Sequence, residues 1–169
     1  MDHETAGQQG TDAGTAGVIA RPLLLFLGAL LLGFVSDHLL PLPISVSSIG
    51  SVHWISAIIS ACLIIMGVVL AAAGIRNFSE AGTPVPTNEP TRTLVTTGVH
   101  SWTRNPIYLG FFLMYVGIGI VVRSSWILIF MLPLAVAIRY GVVAREEAYL
   151  EARFGDDYRD YKARVRRWL

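Results

Sequence analysis

The stretch from Arg104 to Gly110 has the residue types best suited to chemistry. It reads Arg-Asn-Pro-Ile-Tyr-Leu-Gly, and here a polar loop runs directly into an apolar segment long enough to enter a membrane. Asn105 is a favoured N-cap and Pro106 fits the first helical position, so a helix is predicted to begin here with free N–H groups facing the loop. Because Arg104 lies beside that positive end, the pattern predicts a site for an anionic group. A capped transmembrane helix with a snorkelling arginine would give the same pattern.

A second polar cluster, Glu146 and Glu147, follows the next apolar segment. Only a short polar turn at residues 123–125 separates that segment from the one that Arg104 precedes, which predicts a helical hairpin. The hairpin would return the glutamates to the level of Arg104. Adjacent side chains on a helix point about 100° apart, so we expect one glutamate to face the protein and the other to face solvent or a neighbouring arginine.

Four apolar segments must position these clusters. They cover residues 22–40, 52–74, 106–122 and 125–143, and each approaches the ~17–25 residues that cross a bilayer as a helix. Backbone groups in hydrocarbon must be satisfied within their own segment, which favours helices. With 53% hydrophobic and 15% charged residues, the chain is too apolar for an ordinary soluble domain. The predicted fold is an all-α integral membrane domain of about four transmembrane helices, with a hairpin of the third and fourth.

The segments outside the membrane differ in composition. Residues 1–20 lack apolar periodicity, which predicts a disordered tail before a single domain at 21–169. Prolines and glycines make residues 75–105 a loop. Residues 144–169 carry apolar side chains at spacings of three and four, which predicts amphipathic helices at the cytoplasmic face.

Gly155 is predicted to break this C-terminal region into two short helices. Asp156 or Asp157 is then the expected side-chain cap of the second helix.

The basic residues predict the orientation. With four crossings, twelve of the 13 Lys and Arg residues fall on the side that both termini share, and only Arg123 falls on the other. This bias predicts that both termini are cytoplasmic, and that the protein lies in the inner or cytoplasmic membrane if it is bacterial.

No metal site is predicted. The chain has one cysteine, Cys62, which excludes a cysteine cluster. Asp37, His38 and His53 lie near the outer interface without the close spacing of metal ligands.

The order and spacing of the polar residues resemble those of the integral-membrane methyltransferases, the group that contains isoprenylcysteine carboxyl methyltransferase and the phospholipid methyltransferases. That family carries an Arg-His/Asn-Pro-x-Tyr-x-Gly motif, followed after a hydrophobic hairpin by a Glu-Glu pair. Its C-terminal pattern is Glu-Glu-x-x-Leu-x-x-x-Phe-Gly-x-x-Tyr-x-x-Tyr, ending near an Arg-Trp. The matching residues here are Glu146, Glu147, Leu150, Phe154, Gly155, Tyr158, Tyr161, Arg167 and Trp168. The resemblance covers about residues 76–168.

The resemblance implies an S-adenosylmethionine-dependent methyltransferase that acts on a lipophilic or membrane-associated acceptor, such as a prenylcysteine carboxylate or a lipid amine. The catalytic residues that it implies are Arg104, Tyr108 and Glu147. The cofactor-binding residues that it implies are Val95, Gly98, His100, Arg104, Asn105, Pro106, Tyr108, Leu109, Glu146, Glu147, Tyr158, Tyr161 and Trp168. The expected partners are a lipophilic or lipidated substrate and membrane lipid, with no nucleic acid; the oligomeric state is not predicted.

The groups of the cofactor account for these residue types. Arg104 and a helix N-terminus suit its carboxylate, and one of the adjacent glutamates suits its ammonium or ribose hydroxyls. An aromatic ring, from Tyr108, Tyr158 or Trp168, suits the adenine or the sulfonium. His100 stands where the family often has an aromatic residue, so it is either a contact residue or an exposed loop histidine.

Two other functions fit parts of the pattern. Sterol reductases share a similar C-terminal region, but they are larger, with more crossings, so a membrane NADPH-dependent reductase is the less favoured alternative. A non-catalytic membrane scaffold with the same fold is the other. The intact Arg-Asn-Pro-x-Tyr and Glu-Glu motifs favour an enzyme over a scaffold.

Overall fold

Helices are the only regular elements in the part of the chain that the computed structural model describes, namely residues 17–18, 20–42, 53–85 and 90–169. In chain order they are α1 (Pro22–Leu39), α2 (His53–Glu80), a 3₁₀ turn (Gly98–Ser101), α3 (Pro106–Val121), α4 (Ser125–Ile138), a π-helical segment (Arg139–Val143), α5 (Ala144–Phe154) and α6 (Asp156–Arg164). The predicted all-α class is confirmed. The predicted tail at 1–20 lies almost wholly outside the described residues.

Three described helices are long and apolar enough to cross a membrane. They are α1, α2 from Trp54 onward, and the continuous helix Ser125–Phe154 that joins α4, the π-helical segment and α5. The remaining predicted crossing corresponds to α3, which is apolar but shorter. The predicted bounds of the first and third crossings agree with α1 and α3 to within one residue.

The predicted end of the second helix at residue 74 is wrong, because α2 continues to Glu80. The apolar run stops near residue 75, but the residues that follow still favour a helix. Arg76 and Glu80 form an ion pair of 2.6 Å one turn apart, which stabilises this polar extension. The loop predicted at 75–105 therefore begins at residue 81. Phe78 lies in the extension of α2, close to the C-terminal end of this loop.

Helices α2 and α3 cross in close contact at two glycines. A Cβ atom on Gly67 would lie 2.5 Å from the Gly110 carbonyl oxygen, and one on Gly110 would lie 2.5 Å from the Gly67 carbonyl oxygen. Only glycine permits this backbone separation, a common device where helices associate in a membrane. The contact fixes α3 about one turn after its first residue, Pro106.

The helical hairpin predicted for the third and fourth segments is confirmed. Helix α3 ends at Val121 and α4 begins at Ser125. Ser124 is the N-cap of α4, and its hydroxyl accepts a hydrogen bond of 3.0 Å from the Ile127 amide.

The break at Gly155 is also confirmed, since α5 ends at Phe154 and α6 begins at Asp156. The predicted aspartate cap is wrong. Gly155 itself occupies the N-cap with φ 55°, and no side chain caps the helix there. Asp156 lies one position too far along, and its carboxylate instead accepts hydrogen bonds from Arg159.

The first helix is anchored to α3 by aromatic contacts. Phe26 meets the rings of Phe111, Phe112 and Tyr115 edge to face, at centroid distances of 5.4, 5.0 and 6.2 Å. Such pairs add about 0.5–1.5 kcal/mol each beyond the area they bury. This packing holds α3 in place, and Arg104 lies just before the first residue of that helix.

Candidate active site

A cavity lies where the first turn of α3 meets the first turn of α5. Val85 and the segment 91–100 close one side, and α5 and α6 close the other. The volume of the cavity is about 640 Å³ when its open mouth is counted, and the volume of its enclosed part is about 60 Å³. The described residues that line it are Phe78, Val85, Thr91, Leu94, Val95, His100, Arg104, Asn105, Pro106, Ile107, Tyr108, Glu146, Glu147, Leu150, Tyr158 and Tyr161.

Arg104 is a buried cation at the edge of this cavity, with 9% of its side-chain surface exposed. Its Nη1 lies 3.2 Å from Glu147 Oε1, which is an ion-pair distance. The direction of the contact is not that of a hydrogen bond, however, so Nε and Nη1 have no hydrogen-bond partner. Buried guanidinium groups normally satisfy these donors. Arg104 is therefore suited to receive an anionic group.

Glu147 is held by a different arginine. Arg167 grips its carboxylate at two points, with Nε 2.9 Å from Oε1 and Nη2 2.5 Å from Oε2. This two-point geometry is the strongest that a guanidinium and a carboxylate form. Hydrogen bonding to Glu147 raises the pKa of Arg167 above its ordinary value.

Glu146 faces the start of α3 and pairs with Tyr108. The Tyr108 hydroxyl donates a hydrogen bond of 2.6 Å to Glu146 Oε1, and both residues are buried. Among the described residues this is the only hydrogen bond to the Glu146 side chain, so its second oxygen stays available to a ligand.

The second glutamate was predicted to face either solvent or a neighbouring arginine. Solvent is excluded, because both glutamates are buried, with 6% and 7% of their surfaces exposed, whereas the arginine is confirmed by the contact between Glu147 and Arg104. Side chains about 100° apart on a helix can both be covered when two different elements pack against it. Helix α3 covers Glu146 through Tyr108, and the segment after α6 covers Glu147 through Arg167. Arg145, by contrast, points away and donates to the Gly17 carbonyl at 2.7 Å.

His100 is buried, with 3% of its surface exposed, so the interpretation as an exposed loop histidine is wrong. Its ring meets Phe78 edge to face at 4.9 Å, and its Nδ1 lies 3.3 Å from Asn77 Nδ2. Burial lowers the pKa of His100 to about 4. The neutral ring also suits Asn77, because an uncharged Nδ1 can accept the amide hydrogen.

Asn105 occupies the N-cap position of α3, as predicted, but its side chain does not cap the helix. Its Nδ2 instead donates 2.9 Å to the Arg167 carbonyl. Thr103 Oγ1 donates to the same carbonyl at 3.2 Å. The first amides of α3 therefore keep no side-chain cap, which leaves the positive end of the helix toward the cavity.

The tyrosines of α6 complete the polar wall. Burial raises the pKa of Tyr158 to about 12, with the neighbouring Glu147 adding to the rise and Arg104 opposing it. The Tyr161 hydroxyl donates 2.7 Å to the His100 carbonyl, and burial raises its pKa as well. Both hydroxyls therefore stay protonated at neutral pH, and that of Tyr161 acts as a hydrogen-bond donor.

Three residues predicted from the sequence do not line this cavity. Gly98 lies in a surface groove beside α2, where its φ of 59° allows the turn that carries His100. Leu109 and Trp168 line a separate groove beside α4, where Trp168 meets Phe112 at 6.0 Å. The predicted residues that do share the cavity are Val95, His100, Arg104, Asn105, Pro106, Tyr108, Glu146, Glu147, Tyr158 and Tyr161.

The sequence did not single out Phe78, Thr91 or Arg167 as site residues. Thr91 is buried and its Oγ1 has no hydrogen-bond partner, so it offers the cavity an unsatisfied polar atom in addition to Nε and Nη1 of Arg104. Its only sequence signal is its place after Pro90. Arg167 was visible as part of the C-terminal pattern, but nothing in that pattern indicates that its side chain reaches Glu147.

The profile of the phospholipid methyltransferase family matches residues 55–157, more than half of the 169 residues. The chain belongs to this family. The match begins in α2 and ends in α6, so it contains Arg104, Tyr108 and both glutamates. Tyr158, Tyr161 and Arg167 lie beyond it. Membership confirms the resemblance inferred from the motifs and identifies the protein as an integral membrane methyltransferase homologue.

Two curated proteins are similar in sequence to parts of this chain. Over 77 residues the chain is 34% identical to the protein-S-isoprenylcysteine O-methyltransferase of Saccharomyces cerevisiae, a segment that is 46% of this chain and 32% of the yeast protein. Over 27 residues it is 70% identical to an uncharacterised protein of Haemophilus influenzae, which is 16% of this chain and 43% of that protein. The chain thus spans less than half of either curated relative.

A solved structure shares the fold. The eukaryotic intramembrane Ras methyltransferase, an isoprenylcysteine carboxyl methyltransferase, superposes with a TM-score of 0.60 at 25% sequence identity. The match covers 85% of this chain and 50% of that chain. The predicted helical membrane architecture is therefore confirmed by the fold of this independent structure.

Proposed function

We propose that the protein is an S-adenosylmethionine-dependent methyltransferase that acts on a lipophilic or membrane-associated acceptor, such as a prenylcysteine carboxylate or a lipid amine. The observation that supports this most directly is Arg104, a buried guanidinium whose Nε and Nη1 lack hydrogen-bond partners beside a cavity. A buried cation of this kind is costly unless a ligand completes its hydrogen bonds.

The residues around the cavity fit the groups of the cofactor. Arg104 and the uncapped start of α3 would hold its carboxylate, and the second oxygen of Glu146 would accept a hydrogen bond from its ammonium or ribose hydroxyls. Thr91 Oγ1 offers a further polar contact, and the rings of Phe78 and Tyr158 offer apolar surfaces for the adenine. When bound, the cofactor supplies an electrophilic methyl group on a sulfonium.

The chain's own contribution is positioning. A reactive methyl donor needs chiefly an acceptor that is held in line with it and water that is kept away. Tyr108 is fixed by Glu146 at one side of the cavity, and Arg104 stands at the other. We infer that these two residues and the glutamate pair surround the reacting groups, while the apolar helices present the hydrophobic part of the acceptor.

The same proposal includes the orientation in the membrane. Both termini and the cavity would face the cytoplasm, because the basic residues concentrate on that side. A water-soluble cofactor would then enter from the cytosol, and the acceptor would enter from the bilayer. In a bacterium the membrane with a cytoplasmic face would be the inner membrane.

Binding of S-adenosylhomocysteine and NADPH to the protein purified in detergent distinguishes the proposal from its alternatives. We expect calorimetry to show binding of S-adenosylhomocysteine and none of NADPH. NADPH binding alone would favour the reductase, and binding of neither would favour the scaffold. Transfer of a labelled methyl group to a farnesylated cysteine derivative or to phosphatidylethanolamine in mixed micelles would then identify the acceptor class.

A further inference from the structure

The segment that follows α6 folds back over the loop that carries Arg104. The Arg104 amide donates 3.0 Å to the Arg166 carbonyl, and the Arg167 carbonyl accepts both Asn105 Nδ2 at 2.9 Å and Thr103 Oγ1 at 3.2 Å. Three hydrogen bonds therefore fix the backbone of residues 166–167 to residues 103–105. The Arg167 side chain starts from a defined position beside the cavity.

From that position Arg167 and Arg104 meet the same carboxylate in different ways. Arg167 uses both oxygens of Glu147 in a two-point contact, whereas Arg104 approaches Oε1 without a hydrogen bond. A carboxylate already gripped by a planar fork has its most favourable acceptor directions filled. Arg104 is consequently left close to a negative charge that does not satisfy its donors.

We propose that Arg167 is a positioning residue that keeps Arg104 available to the ligand. By occupying Glu147, it prevents Arg104 from closing onto that carboxylate and satisfying itself. The inference rests on the proposed function, in which Arg104 binds the carboxylate of the cofactor. It assigns Glu147 to the orientation of the two arginines and leaves Glu146 as the carboxylate that contacts the ligand.

Loss of Arg167 has a specific consequence in this arrangement. Glu147 is buried and would have to find another cation, because an unpaired buried charge is strongly unfavourable. Arg104 Nη1 is already 3.2 Å from Glu147 Oε1, so a small rotation would convert the contact into a hydrogen-bonded pair. The carboxylate of a ligand would then have to displace that pair before it could bind.

The test compares two ligands on three forms of the purified full-length protein. S-adenosylhomocysteine carries the amino-acid carboxylate, and 5′-methylthioadenosine lacks it. We expect Arg167→Ala to weaken S-adenosylhomocysteine binding by about tenfold or more and to change 5′-methylthioadenosine binding by less than about threefold. In Arg167→Ala/Glu147→Gln the competing charge is absent, so S-adenosylhomocysteine affinity should return to within about threefold of wild type.

A purely structural role gives a different result. If Arg167 only held the fold together, both ligands would bind more weakly to Arg167→Ala, and the second substitution would not restore binding. Either result overturns the inference. If Arg167→Ala does not fold, Arg167→Lys serves instead, because it keeps one contact and should lose affinity for S-adenosylhomocysteine alone. Failure of the wild-type protein to bind S-adenosylhomocysteine would refute the proposed function itself.

Discussion

Tyr108 and Glu146 are 38 positions apart in the chain and share a buried hydrogen bond of 2.6 Å. This contact joins the first turn of α3 to the first turn of α5, and so brings the two polar motifs of the chain to one cavity. The Arg104–Glu147 distance of 3.2 Å is a second link, between α5 and the loop that leads into α3.

Arg104→Lys should weaken S-adenosylhomocysteine binding by at least about tenfold, or ~1.4 kcal/mol. Lysine keeps the charge but loses the planar fork that grips a carboxylate at two points. Isothermal calorimetry in detergent measures the effect, and the melting temperature without ligand should barely change. Arg159→Lys is the matched control, because Arg159 is exposed and pairs only locally with Asp156. A variant that unfolds readily yet binds normally when folded would make Arg104 structural.

Glu146→Gln should weaken S-adenosylhomocysteine binding by about tenfold, whereas Glu147→Gln should have a smaller effect. Glu146 keeps an oxygen free of protein hydrogen bonds, while Arg167 engages both oxygens of Glu147. Glu151→Gln serves as the control, since Glu151 pairs with Lys162 away from the cavity. The reverse order of the two effects would make Glu147 the ligand contact.

Tyr108→Phe should destabilise the folded protein by about 1–3 kcal/mol, because the buried Glu146 carboxylate loses its hydrogen-bond donor. Thermal unfolding in detergent without ligand reports the loss. Tyr140→Phe removes the same hydroxyl from a ring that is 63% exposed, and should leave the melting temperature unchanged. Equal shifts in the two variants would contradict a specific role for the Tyr108–Glu146 bond.

The contribution of His100 to the stability of the protein should decrease as the pH falls from about 6.5 toward 4. The pKa of His100 is lowered from 6.5 to about 4 in the folded state, so only the unfolded chain takes up a proton in this range. The contribution is complete above pH 6.5. His100→Phe should flatten the dependence of melting temperature on pH, and His38→Phe, at an exposed histidine, should not. An unchanged profile in His100→Phe would mean that other groups cause the loss.

Reporter fusions should place both termini and the loop after α2 in the cytoplasm, because the basic residues concentrate there. A reporter inserted after Arg123, in the turn between α3 and α4, should give the opposite signal. Matching signals at the loop after α2 and at Arg123 would show that α3 does not cross the membrane. That result would be informative, because α3, with 16 residues, is shorter than the three helices that are long enough to cross a membrane.

The sequence was sufficient where one local rule decides the structure. The length of an apolar run set the bounds of α1 and α3, and Pro106 marked the start of α3. It was insufficient where two remote segments meet. The burial of His100 depends on Phe78, which reaches it only because α2 continues past its apolar run. No local pattern contains that information.

In the polar site, too, the features set by local sequence were predictable and the contacts between remote segments were not. The hairpin was enough to predict that Arg104 and the glutamates lie at one level, since it needs only two helices of similar length. The partner of each glutamate was not predictable, because Arg167 reaches Glu147 through a turn of the backbone after α6 and is held there by Thr103 and Asn105. Both glutamates are buried for this reason.

Because of the π-helical segment Arg139–Val143, the geometry of the site depends on the number of residues in this helix. Such a segment carries one residue more than an α-helical turn, and removal of a single residue there would let an ordinary α-helix form. The membrane-spanning helix would survive, but everything after the deletion would turn by about 100°. Both glutamates would then leave their partners on α3 and at Arg167. We therefore expect this junction to tolerate a change of side chain far better than the insertion or deletion of one residue.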